Sequence, residues 1–470
     1  MRRRRRARAS GAKPHGMAAS ADRSRRPVRR GRYILAGLAA MLVAAGPSPS
    51  AHAQSTLAEA IRDEGGPRDV RSFYAARDGA PLWVRGGVVS PAAEALLRLI
   101  ESAELDGLDP DDYRPRPLIR ALERAESGDT EDLARAELLL TRSLLDLARD
   151  MARPRDVGVV YVDAELNPKP LSARDVLARA AAATSLERFV EQTGWMHPLY
   201  GRLRAAATAA AGNWENSWRG GEREKLRLNL DRARALPPIA ADSRYVLVDA
   251  AAARLWMVEG TETVGTMRVV VGKPEEPTPL LAAKIRYASL NPYWNIPPDL
   301  VRSRVAPEVV KGGVRYLKAK GYQVLSDWSA AAKPVNPSTI DWRAVQSGGR
   351  ELRVRQLPGP TNGMGRMKFM FPNQLGVYLH DTPDKGFFKK GERMFSAGCV
   401  RLEDAPRLAR WLFGRPVSAK GGKPEQNVDL PEPVPVFITY LTVSAGDDGQ
   451  LVYRDDVYAR DGTGLAMADR

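Results

Sequence analysis

The sequence is poor in sulfur and imidazole. One cysteine, Cys399, stands among 470 residues, and of four histidines only His197 and His380 lie beyond residue 53. A lone cysteine cannot pair within its own chain, so Cys399 is either a buried inert residue or a reactive thiol. The length allows a large core in two or three domains, so neither a disulfide nor a metal is needed as a staple. Beyond the N-terminal region no stretch is apolar enough to cross a membrane, and there is no internal repeat or long low-complexity segment. An excess of positive charge is missing too, once its location is considered. Residues 1–53 hold 13 Lys/Arg against one acid, Asp22, whereas the remainder has 59 basic and 55 acidic residues. The +16 of the whole chain is therefore mostly a property of its leader, and no nucleic-acid partner is expected.

That leader has the order of a signal peptide: a basic stretch, the apolar run "YILAGLAAMLVAAG" (33–46), then "AHA" before Gln54. Cleavage after Ala53 and export to the periplasm are expected. From 54 to 236 the patterning is helical. "VSPAAEALLRLIESAELDG" has apolar residues at helical spacing and an Asp-Gly stop, and "EDLARAELLLTRSLLDLARDM" has an apolar face broad enough to be buried on several sides. His197 reads as a packed or interface residue. Near 237 the texture changes to β runs ("RYVLVD", "ARLWMVEG", "VGTMRVVVG") separated by turn residues. Residues 300–350 turn helical and loop-rich, as a lid inserted between strands would. Strand texture returns at "GVYLHDTP" and "PVPVFITYLTV", and Asp447-Asp448-Gly449 turns a hairpin in the tail, residues 446–470. The expected fold class is α+β: a helical scaffold, then a mainly antiparallel β domain over 244–445 with a helical insertion.

Chemistry concentrates in "HDTPDKGFFKKGERMFSAGCVRLED", residues 380–404. A thiol attacks acyl carbons as thiolate, and its ordinary pKa of about 8.5 leaves it mostly protonated at neutral pH. A histidine can take that proton and later return it to a leaving amine. His380 ends an apolar run whose alternation holds its ring on a defined face, with Tyr378 on the same face. Gly398 permits a tight turn that brings main-chain N–H groups to the carbon under attack. A helix following Cys399 would add its N-terminal dipole in favour of thiolate.

The motif "VYLHDTP…RMFSAGCVRLED" resembles the L,D-transpeptidase signature of YkuD-like domains. "MRVVVGKPEEPTP", "NPYWNIP", "RQLPGPTNGMGRMKFMFPN" and the helical half resemble the large YcbB-like branch. The resemblance implies a periplasmic cysteine acyltransferase acting on peptidoglycan stem peptides, without metal or cofactor. Cys399 would be the nucleophile and His380 the general base and acid. Ser396 and Gly398 would shape the nucleophile turn and its oxyanion donors. Arg401 would order the pocket, pair with a substrate carboxylate, or make a structural salt bridge. Tyr378 and Trp294 would line the substrate groove. It also implies carbapenems as covalent inhibitors.

Ala397 departs from the histidine that many such domains carry, and Asp381 stands where shorter relatives often have glycine. If the backbone carbonyl at 381 orients the imidazole, the side chain there matters little. There is no peptidoglycan-binding repeat before residue 244, so wall anchoring would fall to the scaffold, the lid or accessory cell-wall proteins. The acceptor stays open at this level. A second stem's amine gives a 3→3 cross-link, water gives a carboxypeptidase or endopeptidase, and a lipoprotein lysine gives anchoring. A non-catalytic wall-binding scaffold is another class, and a papain-like or amidase-type cysteine hydrolase a further one, although that type normally places its cysteine before its histidine and here the order is reversed.

Overall fold

The computed structural model describes residues 49–211, 221–240 and 242–462. Most of the expected signal peptide, residues 1–48, lies outside the described residues, and 49–53 open the helix Pro49–Glu64. No described helix is long and apolar enough to cross a membrane.

The first half is helical where the periodicity demands it. Its central helix, Thr130–Met151, is N-capped by Asp129, which accepts from Glu131 N at 3.0 Å and Asp132 N at 3.1 Å. Leu140, Leu144, Leu147 and Met151 are fully buried, so neighbouring helices cover it on several sides. Its buried carboxylate, Glu137, gathers the Tyr74 hydroxyl at 2.6 Å, Trp83 N–H at 2.9 Å, Val84 N–H at 3.0 Å and a short bond from Leu82 N–H. Burial raises its pKa, and those donors work against the rise.

In the second half the pairing order runs Met367–Met370, Leu379–His380, Val400–Leu402, Glu262–Gly272, Arg254–Glu259, Arg244–Asp249, Gln426–Thr439, Leu281–Leu290, Val160–Tyr161. Met367–Met370 also pairs with Leu281–Leu290, which closes eight strands into a circuit and removes the exposed edges that a sheet of this size would present. The short strand Val160–Tyr161 belongs to the helical half, yet it pairs in parallel with Leu281 and Ala282. Sequence patterning gave no sign of it, because two residues are too few to show alternation.

Three apolar clusters follow from this arrangement. One fills the strand circuit, with Val248, Val269, Ile285, Phe369, Leu379 and Val400 among its members. The second is the scaffold core, and it continues without a break onto Tyr245, Leu247, Phe437 and Leu441 of the sheet. The hairpin Val443–Ala445/Leu451–Tyr453 joins the same cluster, so it starts slightly before the expected boundary at 446. Shared apolar burial explains why the described residues between 49 and 462 form one compact unit. The third cluster, with Leu300, Val305, Leu317, Val324, Trp342 and Val354, belongs to the insertion. The insertion is not purely helical: Trp294–Ile296, Arg353–Gln356 and Tyr322–Leu325 form an antiparallel sheet. The glycine and charged residues around Tyr322 hid that strand from pattern reading.

His197 lies where scaffold meets sheet, packed edge-on against Tyr245 at 5.4 Å and Phe437 at 6.2 Å between ring centres. Its Nδ1 accepts from Leu199 N–H at 3.1 Å. Burial lowers its pKa to about 3, with a smaller contribution from Arg202. Below pH 6.5 the unfolded chain takes up a proton that the folded chain refuses. The stability this residue supports is therefore complete above pH 6.5 and is lost as pH falls towards 3. His197→Asn keeps an acceptor for Leu199 and removes the titration. Denaturant melts should show wild type losing about 2 kcal/mol more than the variant between pH 6.5 and 5. Equal losses would place the acid sensitivity elsewhere.

Candidate active site

Two short strands build the site. Leu379–His380 pairs in parallel with Val400–Leu402, with Leu379 beside Val400 and His380 beside Arg401. Residues abreast on neighbouring strands face the same way. Leu379 and Val400 are fully buried in the core, so His380 and Arg401 share the opposite face. Cys399, immediately before its strand, joins them. All three line a cleft of about 620 Å³, together with Tyr378, Trp294 and Ser396. The structure thus brings together Cys399, His380, Ser396, Arg401, Tyr378 and Trp294, the side chains expected at the site.

The histidine is held by main chain. Its Nδ1 lies 2.6 Å from the carbonyl oxygen of Asp381. A carbonyl can only accept, so Nδ1 carries the proton and Nε2 is the basic nitrogen of the neutral ring. The Asp381 side chain points elsewhere: it accepts from Arg366 N–H at 2.9 Å and from Lys385 Nζ at 2.7 Å. Gly365, at φ +63°, makes room for that carboxylate, since a Cβ there would sit 2.5 Å from it. Burial lowers the His380 pKa to about 4, assisted by the Arg401 charge.

The thiol is half-buried, with Sγ 3.6 Å from Gly376 O. Burial pushes its pKa up, while the Tyr378 backbone and Arg401 pull it back. The expected helix dipole does not act on it. Val400–Leu402 is a strand, and the helix Ala405–Phe413 begins only after the Asp404 cap. The turn before the thiol is as tight as "SAGC" suggested. Gly398 has φ +98°, a region that side chains rarely adopt. Ser396 Oγ donates to Cys399 O at 2.5 Å.

Arg401 makes no ion pair among the described residues, and its Nε has no hydrogen-bond partner. Its guanidinium lies 5.4 Å from the Phe387 ring centre, and Phe387 stacks on Phe395 at 5.3 Å. The aromatic pair therefore orients a cation that makes no direct ion pair among the described residues, with the Asp384 carboxylate acting on it across the same cleft. Trp294 forms part of the opposite wall, against Gly363, where a Cβ would meet the indole at 3.0 Å. Sequence reasoning missed Arg304 and Glu276, which also line the cleft. Arg304 Nη2 meets Glu276 Oε2 at 3.0 Å and ties the insertion to the loop after Gly272. Charges 28 residues apart leave no local pattern to find. Among the described residues no group of His, Cys, Asp and Glu is placed to hold a metal ion.

Comparison with known proteins agrees with this architecture. Residues 243–424 match the L,D-transpeptidase catalytic domain family, YkuD, and residues 68–206 match the Scaffold domain family. Residues 243–424 therefore carry a YkuD-type L,D-transpeptidase catalytic domain, preceded in the chain by a Scaffold domain. A Haemophilus influenzae protein named "Putative L,D-transpeptidase" is 29% identical over 245 residues, which cover 51% of this chain. The match takes in 48% of that relative, so the chain spans about half the relative's length. Among solved structures, the L,D-transpeptidase from Mycobacterium smegmatis is 14% identical, covering 43% of this chain and 61% of its own, at a TM-score of 0.22. LdtMt1 in complex with imipenem is 16% identical, with 42% and 59% covered and a TM-score of 0.20. The Enterococcus faecium L,D-transpeptidase catalytic domain is 15% identical, with 42% and 97% covered and a TM-score of 0.17.

With the thiol pKa raised and the imidazole pKa near 4, the cleft at pH 7 holds a neutral thiol and a neutral ring. Alkylation of Cys399 by iodoacetamide should therefore climb with pH through and beyond pH 8. A thiolate–imidazolium pair would instead give a plateau between pH 5 and 7, and that plateau would refute this electrostatic account.

Proposed function

We propose that the chain is a periplasmic peptidoglycan L,D-transpeptidase. The observation that carries this reading is the carbonyl-locked imidazole of His380 sharing one cleft with the only thiol of the chain. Cys399 Sγ attacks the carbonyl of the third residue, a diamino acid, of a tetrapeptide stem, and its proton passes to His380 Nε2. The oxyanion collapses, the C–N bond to the terminal D-alanine breaks, and His380 returns the proton to the departing amine. A thioester remains on Cys399. The side-chain amine of a second stem then attacks it, gives up its proton through His380, and leaves as a 3→3 cross-link with the thiol restored. No metal or cofactor takes part in these steps.

Arg401, whose buried Nε has no hydrogen-bond partner among the described residues, suits a substrate carboxylate. Tyr378 and Trp294 offer walls against which a stem peptide packs. The insertion, held by the Arg304–Glu276 pair, would act as a lid. Export rests on the basic-then-apolar leader. Anchoring on the wall would fall to the scaffold or to accessory proteins. The imipenem complex of LdtMt1 supports carbapenem acylation at Cys399 here, because opening a β-lactam ring at a thiol uses the same attack.

Residues 54–470 incubated with disaccharide-tetrapeptides should yield a 3→3 joined tetrapeptide–tripeptide dimer by mass spectrometry, with none from Cys399→Ala. Tripeptide monomers alone would assign the acceptor to water, and a lipoprotein lysine adduct would make it an anchoring enzyme. His380→Ala should slow both cross-linking and imipenem acylation by about 100-fold or more. Acylation at the wild-type rate in that variant would remove His380 as the base.

Within the same assay, Arg304→Ala should leave stability within about 1 kcal/mol, because the pair is solvent-exposed. It should raise KM for the tetrapeptide, since an untied lid orders the substrate less well. An unchanged KM would make the pair incidental.

A further inference from the structure

Thr278 is fully buried, does not line the cleft, and takes part in no step above. Its hydroxyl nevertheless makes two hydrogen bonds at once. It donates to the Gly398 carbonyl at 2.8 Å and accepts from Gly272 N–H at 2.8 Å. The residue is itself clamped. Arg460 Nη2 donates to Thr278 O at 3.1 Å, and the Tyr458 hydroxyl donates to Gly272 O at 2.7 Å while facing Thr278 N at 3.5 Å. Gly272 lets the loop press this close, because a Cβ there would lie 2.2 Å from Glu276 O and 2.6 Å from Thr278 N. Beneath the nucleophile turn is therefore a fixed post.

The post matters because of peptide geometry. In a trans peptide the carbonyl and the following N–H point in opposite directions. With Gly398 C=O drawn towards Thr278, the Cys399 N–H of the same plane points away from it, on the side of the cleft that Ala397 and Cys399 line. Among the described residues nothing accepts that N–H. The next plane is set in the same manner: Ser396 Oγ holds Cys399 O, and Val400 N–H goes to Tyr378 O at 3.0 Å. A glycine at φ +98° imposes little of its own on the 398–399 plane, since it populates either hand of backbone readily. In the opposite orientation a carbonyl oxygen would face the developing oxyanion and repel it.

We infer that Thr278 is a positioning residue, whose hydroxyl presets Cys399 N–H as the oxyanion donor by holding Gly398 C=O. The inference rests on the acyl-transfer reading above. The attack makes the S–C bond and moves the carbonyl π pair onto oxygen; Thr278 exchanges no proton and touches no substrate.

The experiment compares two reactions of the same thiol in purified residues 54–470. Imipenem acylation, followed by mass, builds an oxyanion; iodoacetamide alkylation displaces iodide at a methylene and builds none. Thr278→Val should slow acylation and tetrapeptide kcat by about 10–100-fold, with KM and alkylation unchanged within about twofold. Thr278→Ser keeps both hydrogen bonds and should restore acylation to within about threefold of wild type. Equal slowing of acylation and alkylation would mean that the thiol itself has moved, and unchanged acylation would mean that the turn needs no post; either overturns the inference. If Thr278→Val does not fold, Tyr458→Phe loosens the same post from outside the cleft. It should give the same split at several-fold, and its absence there overturns the inference equally. A wild-type chain that alkylates normally but is not acylated by imipenem or tetrapeptide would overturn the acyl-transfer reading, and the role of Thr278 with it.

Discussion

Everything in the cleft depends on two residue pairs of parallel β-sheet, Leu379 beside Val400 and His380 beside Arg401. Parallel neighbours cannot be joined by a tight turn; they need a crossover of a dozen residues or more. The 19 residues from Asp381 to Cys399 are that crossover. They carry the short helical turn Lys385–Lys389 and the strand Met394–Ser396, which pairs with Glu262–Gly272. Once the two pairs form, the alternation of side chains sends Leu379 and Val400 into the core and leaves base and guanidinium in the cleft. A slip of one residue would exchange those faces and bury His380 among aliphatic side chains.

Burial then sets the electrostatic state of what that register assembles. Taking imidazole and thiol out of water favours the neutral form of each, and no helix dipole counteracts this at Cys399. Arg401 shares the cleft with Arg304 and Lys368, and it lowers the imidazole pKa and supports the thiolate at the same time. The single backbone bond from His380 Nδ1 to Asp381 O decides which nitrogen is the base, and it does so without needing a particular side chain at 381. Aspartate at that position is accordingly free to tie Arg366 and Lys385 instead.

The scaffold acts on the site only at a distance, through apolar area shared with the outer face of the sheet and through the strand Val160–Tyr161, which lies along the edge of Leu281–Leu290. The insertion behaves differently. It carries its own core and reaches the cleft through Trp294, Leu300 and Arg304, so it can shape the entrance without disturbing the strands beneath.

Much of this was legible in the chain because it is local. Helical periodicity marked the scaffold, alternation placed Tyr378 and His380 on one face, and "SAGC" announced a tight turn before the thiol. The family resemblance, carried by the same short motifs, pointed to the Cys399–His380 pairing. The rest depends on contacts between distant segments, which no window of sequence contains. Val400–Leu402 read as the entrance to a helix until its pairing with strands on both sides made it β. Arg401 read equally as a structural ion pair, and only the folded chain shows it packed on Phe387 with no direct ion pair among the described residues. Residues 54–470 determined by themselves which chemistry the chain carries, since side-chain identity and local backbone preference are properties of sequence. Tertiary structure decided the burial that lowers the His380 pKa, the packing of Arg401 on Phe387 and the hold of Thr278 on Gly398. Burial of His380 and the bond from Thr278 to Gly398 exist only once segments distant in the chain have met, the latter across 120 residues.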